Sequence, residues 1–150
     1  MKIILTFLFI NTLVTGELFC QTRTISGRIV SEYLEPLPEI YIQDIDTTLI
    51  GKTDLDGRFK IEISSSTDSL LLCSLGIEWA TIQLTSDCDT LEVVMMYDYI
   101  YDFITLRKVD RLRLKRFKKL YEIHKQAFDQ GLFITENPCY KQLFEPYFNK

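Results

Sequence analysis

Imidazole is nearly absent from this sequence: His124 is the only histidine among 150 residues. A zinc site asks for three or four His, Cys or carboxylate ligands, and a peptidase HxxE motif is missing. Any Ser–His–Asp set would have to recruit His124, and no nucleophile elbow is in view. Glycine is also scarce, with six in the chain, and none is arranged as a phosphate-binding loop. Beyond the first residues no apolar run approaches the ~20 residues needed to cross a bilayer. Low-complexity tracts and internal repeats are missing too. A surplus of positive charge is lacking: the formal net charge is −4, which argues against nucleic acid as a partner.

The N-terminus reads as an export signal over residues 1–20. Lys2 supplies a short positive region, and Ile3 to Val14 an apolar stretch of about a dozen residues, too short for a span. Cleavage could follow Gly16 or Cys20; Glu17 and Phe19 fit poorly with a lipid anchor on Cys20. An exported chain can form disulfides. If cleavage follows Cys20, then Cys73, Cys88 and Cys139 remain, an odd count. Cys73–Cys88 is the pair to test first. The competing reading makes Cys73 a small apolar strand residue, as buried free cysteines often are.

Past the signal the chain is strand-like. Thr24–Val30 is rich in β-branched residues, and Leu34–Pro38 is a proline-marked connector. Glu39–Ile45 alternates, as does Arg58–Ile63, with Phe59, Ile61 and Ile63 inward and Arg58, Lys60 and Glu62 outward. Thr48–Thr53, Ser69–Leu75, Ala80–Thr85 and Asp89–Met96 complete about seven short strands, which predicts a β-sandwich over residues 22–98. From Leu106 to Gln130 neither Gly nor Pro occurs, and the period becomes helical. Leu114, Phe117, Tyr121, His124 and Phe128 form a stripe that Leu106, Val109, Leu120 and Ala127 widen. Gly131 is the expected stop. The helical extension spans residues 104–150, and its tail is too aromatic to be a disordered end.

Charge divides along the same line. From Arg23 to Asp98 acidic residues outnumber basic ones roughly three to one, and from Arg107 to Lys125 the reverse holds. Lys108, Lys115, Arg116 and Lys119 fall opposite the apolar stripe, with Arg107 and Arg113 flanking it. Arg111, Lys115, Lys118 and Lys119 are the candidates for contact with an anionic surface. The competing reading is a solvated outer face, with Arg107 and Arg113 paired to the acidic sandwich.

Asp54-Leu55-Asp56-Gly57 invites a calcium reading, with Asp54 and Asp56 as metal candidates. Calcium takes six to eight oxygens, and the EF-hand spacing wants Gly at position six and Glu at twelve. Counting from Asp54, Gly57 comes at position four and Ser65 at twelve. A tight hairpin fits better, because Asp and Gly tolerate the left-handed conformation.

The words "SGRIV" (Ser26–Val30), "PLP" (Pro36–Pro38) and above all "TDLDGRF" (Thr53–Phe59), with Gly76 after a central strand, resemble the carboxypeptidase-regulatory-like domain. That domain is a prealbumin-like (transthyretin-like) β-sandwich, abundant in exported proteins of the Bacteroidota. The resemblance covers about Ile25 to Met96 and rests on Thr53, Asp54, Asp56, Gly57, Phe59 and Gly76. Glu39, Cys73 and Ile77 depart from the family pattern. The resemblance implies a mainly β, seven-stranded Greek-key sandwich, followed here by an amphipathic helix and an aromatic tail. It also implies a non-catalytic accessory module without cofactor. The expected setting is the periplasm, the outer membrane or the medium, and the expected partner an envelope protein or glycan. Peripheral membrane contact through the basic helix is the alternative.

Overall fold

Alternation along Arg58–Ser64 is realised residue by residue: Phe59, Ile61 and Ile63 are buried, while Arg58, Lys60 and Glu62 are exposed. The computed structural model describes residues 21–148; the export signal expected over residues 1–20 lies outside the described residues. In order, the elements are β1 (Thr22–Ser31), β2 (Tyr41–Asp44), β3 (Leu49–Lys52), β4 (Arg58–Ser64), β5 (Ser69–Ser74), β6 (Ile77–Leu84), β7 (Thr90–Met95), α1 (Leu106–Phe117), α2 (Leu120–Asp129) and β8 (Tyr140–Leu143).

The protein is mainly β, with two sheets ordered β4-β1-β7 and β3-β2-β5-β6-β8. β1 lies between an antiparallel β4 and a parallel β7. Ile25, Ile29, Phe59, Ile61, Leu91 and Val93 from the three-stranded sheet meet Ile42, Leu70, Leu72 and Ile82 from the five-stranded one. Each such aliphatic, fully buried, contributes about 1.5–3 kcal/mol.

β7 is buried on both faces. Leu91, Val93 and Met95 enter the main core, while Val94 and the following Met96 join Val30 in a second core with Leu120, Ala127 and Phe133. α2 therefore packs on the outer face of the smaller sheet, while α1 is tied to Glu78 of β6 and to Glu32 beyond β1. The expected single helix is two segments: Lys118 and Lys119 keep right-handed dihedrals, but the Lys119 amide bonds to Arg116 O three residues back, at 2.9 Å. Gly131, at φ 71°, ends α2 as expected. Its amide bonds to Phe128 O and that of Leu132 to Ala127 O, both at 2.9 Å, a Schellman arrangement.

Three expectations are corrected. The helix docks through only one side of the expected apolar stripe: Val109, Leu120, His124 and Ala127 are buried, while Leu106, Tyr121 and Phe128 are exposed. The Asp54–Gly57 turn is not a hairpin within one ladder. It carries the chain from β3 in one sheet to β4 in the other. The disulfide joins Cys88 to Cys139, with Cα atoms 5.2 Å apart, and Cys73 is a buried free thiol. Cys73 sits where β5 turns into β6, and Cys88 lies beyond the other end of β6. A whole strand, at ~3.3 Å per residue, separates them. The disulfide instead anchors the tail, whose aromatic residues pack as expected and add β8 beside β6.

Candidate functional site

Along β6, Glu78 shares the parity of the core residues Ala80 and Ile82 but sits at the start of the strand, where its carboxylate pairs with α1. Its carboxylate is 5% exposed. Arg113 Nε donates to Glu78 Oε2 at 3.0 Å, with Nη2 also 3.0 Å from that oxygen, and Arg116 Nη1 donates to Oε1 at 3.4 Å. Arg113 Nη1 also donates to Asp110 Oδ1 at 3.1 Å and to the Glu145 carbonyl at 2.9 Å. Arg116 grips Glu32 with two nitrogens, Nε at 3.1 Å and Nη2, and Nη2 donates to the Tyr97 carbonyl at 2.7 Å. Aromatic rings cover both guanidiniums: Tyr147 lies 3.7 Å from Arg113 and Tyr99 4.3 Å from Arg116.

Burial works against the charge on both arginines, but Glu78 for Arg113 and Glu32 for Arg116 outweigh it and raise their pKa values. Burial likewise opposes ionisation of Asp110. The Tyr147 and Phe148 amides and Arg113 overcome it and hold this carboxyl below its ordinary range. The expected pairing of Arg113 with the acidic sandwich is therefore present. Arg107 instead stacks on Phe148, 4.6 Å from the ring centre. Arg116, expected on the outer face, is part of the seam.

Above this seam opens a cleft of about 640 Å³. The β5–β6 turn forms one wall through Leu75 and Gly76, and the tail forms the other through Pro146 and Tyr147. Tyr41 and Trp79 stand at the rim, and Arg113 and Glu78 make the floor. Gly76, at φ 77°, tightens the turn and lifts Leu75 fully into solvent. Trp79 is 69% exposed. The Cys73 thiol also lines the cleft, its pKa raised by burial. The floor charges Arg113 and Glu78 are matched to partners, while the Asp98 and Glu145 carboxylates, without a salt bridge among the described residues, also line the cleft beside its aromatic and aliphatic surface. Such a surface suits stacking and apolar contact.

The other sequence-marked residues lie elsewhere. Asp54 Oδ1 accepts the amides of Asp56 at 2.9 Å and Arg58 at 2.8 Å, which makes it a turn cap. Thr53 Oγ1 accepts the Ile40 amide at 2.9 Å and donates to the Leu37 carbonyl at 2.7 Å. Gly57 sits at φ 72° against β1, where a β-carbon would collide with the Ile29 carbonyl. Phe59 belongs to the main core. Among the described residues no three His, Cys, Asp or Glu side chains come together as a metal cluster.

His124 packs in the helix layer, 2% exposed, against Phe133 at 4.9 Å. Its Nε2 lies 3.0 Å from the Thr135 carbonyl, so Nε2 carries the proton. Nδ1 is buried without a partner. Burial, against weaker help from Thr135 and Glu92, lowers the His124 pKa below its ordinary 6.5.

Sequence reasoning missed Glu32, Glu78, Trp79 and Glu92. Glu92 accepts the Ile134 and Thr135 amides at 2.8 and 2.9 Å and so holds the segment after α2. The signal for Glu78 and Glu92 was a single acid inside each buried strand, since a buried carboxylate needs a partner. Arg111, Lys115, Lys118 and Lys119 are all exposed on the helices or their junction. The architecture defines a mainly β protein of two sheets with a helical layer. No protein-family model matches the chain, and no curated protein matches it.

Proposed function

We propose that the protein is an exported, non-catalytic binding module of the cell envelope, and that it holds an envelope protein or glycan in the cleft beside Trp79. The observation that carries this reading is the pairing of exposed Trp79 and Leu75 with a floor whose charges are already matched. Large exposed apolar side chains around a concavity mark an interaction site. The Thr53–Phe59 turn, which crosses between sheets with Gly57 pressed on β1, supports assigning strands β1–β7 to the prealbumin-like sandwich of carboxypeptidase-regulatory-like domains.

Trp79 is the only tryptophan in the chain, so its fluorescence reports the cleft directly. Titration with soluble envelope extracts and with a panel of envelope glycans is expected to shift the emission to the blue. Leu75→Asp is expected to abolish the shift while leaving the circular dichroism unchanged. No shift with any fraction overturns the cleft as a site. Hydrolysis that a single substitution abolishes overturns the non-catalytic assignment.

A further inference from the structure

Helix α1 carries a second surface, whose groove meets the cleft only at Pro146. At 3.6 residues per turn, Arg107, Lys108, Arg111, Lys115, Lys118 and Lys119 fall within roughly a third of the helix circumference. All six are exposed. Val109 and Arg113, which are buried against the sandwich, lie on the opposite side. Among the described residues, none of the six has a carboxylate within salt-bridge distance, whereas Arg113, Arg116 and Lys125 do.

Apolar surface borders this cationic face. On one flank Leu112 is 39% exposed. On the other runs an open groove of about 560 Å³, lined by Leu114, Phe144, Pro146 and Phe148 with Arg107 and Arg111 at its rim. Asp110 also reaches the groove, but the Tyr147 and Phe148 amides, at 2.8 and 2.9 Å, and Arg113 hold its carboxylate. Just ahead of α1, Phe103 is fully exposed at φ 60°.

We infer that this face docks on an anionic phospholipid bilayer. Cations fixed outward, with apolar groups beside them, match a surface of phosphate headgroups over hydrocarbon. A nucleic-acid backbone would use the charges and leave the Leu114–Phe148 groove and Phe103 without a counterpart. The mostly acidic sandwich lies behind α1, so an anionic surface attracts one side of the molecule and repels the other. That asymmetry orients the protein with α1 against the lipid.

The test is co-sedimentation of the full protein with two kinds of vesicle, phosphatidylcholine alone and equal parts phosphatidylcholine and phosphatidylglycerol. Only the second is expected to retain it, with release at high salt. Each cation lost at an anionic surface costs about fivefold in partitioning, so Arg111→Glu with Lys115→Glu should lower retention by at least ~25-fold. The melting temperature of this variant should stay within a few degrees of the parent. Phe103→Ser should weaken retention without changing its salt dependence. Equal retention on both vesicles, undiminished retention of the charge-reversed variant, or retention by lipopolysaccharide or DNA but not by phosphatidylglycerol vesicles overturns the inference. None of these outcomes touches the cleft, which Trp79 reports separately.

Discussion

Helices α1 and α2 hold to the sandwich by different physics. α2 buries Leu120 and Ala127 with Val30, Val94, Met96 and Phe133. α1 buries one aliphatic, Val109, and beside it a guanidinium, Arg113. The first attachment is non-directional and proportional to area. The second is directional and depends on each ion keeping its partner. An ionic seam thus places the helix, since Arg113 and Arg116 reach their carboxylates in one rotation and one axial position only. The apolar patch under α2 supplies most of the adhesion.

The ionic attachment is the easier of the two to destroy. Arg113→Leu leaves buried Glu78 with only the 3.4 Å contact from Arg116 and is expected to cost about 3 kcal/mol in urea denaturation. Adding Glu78→Leu should restore a large part of that loss, because two apolar groups can replace a buried pair. At the apolar end, Leu120→Ala should cost about 2–4 kcal/mol through a cavity. No charge change should rescue it, and salt should not alter it.

Acid separates the two attachments further. The folded pKa of His124 lies below its unfolded value, ordinarily 6.5, so the unfolded chain takes up the extra proton. The contribution of neutral His124 is complete above about pH 6.5 and is lost as pH falls toward the folded pKa. Asp110 is depressed from an ordinary 3.8, so its contribution is kept until pH falls through the carboxylate range. Stability followed against pH should therefore decline first with the α2 signature. His124→Gln should flatten the decline just below pH 6.5 and leave the later one in place. The smallest effect belongs to the outer face: Lys115→Ala should change stability by less than about 0.5 kcal/mol, with equal melting of the two proteins as the check.

The sandwich was legible because period-2 alternation exposes its own direction. Phe59, Ile61 and Ile63 needed no tertiary knowledge to be placed inward. Gly131 was legible for a similar reason, as the first glycine after a long uninterrupted helical run. The helix face was not. Leu114, Phe117, Tyr121, His124 and Phe128 make the more conspicuous stripe, yet of these only His124 is buried, and the face centred on Val109, Leu120 and Ala127 is turned from the stripe by roughly 90°, at 100° per residue. Counting apolar residues cannot find a face that is half guanidinium, and so Arg116 fell on the wrong side. The disulfide was hidden for a topological reason. Nothing local says that Cys139 returns along β6 past the end where Cys88 waits. The cleft was hidden likewise, since its two walls are some seventy residues apart and meet only when the tail adds its strand.

The place of β1 also has a meaning in time. The first strand to be made is the middle strand of its sheet. Its antiparallel neighbour, β4, begins at Arg58, and its parallel neighbour, β7, only at Thr90. Until both exist β1 lacks a partner on at least one side, and its apolar residues wait for company from far along the chain. Native contacts so distant in sequence close slowly, on the millisecond-to-second scale of all-β folds. A chain arranged this way stays open while it is being made and shuts late, in one step, when its last sandwich strand arrives.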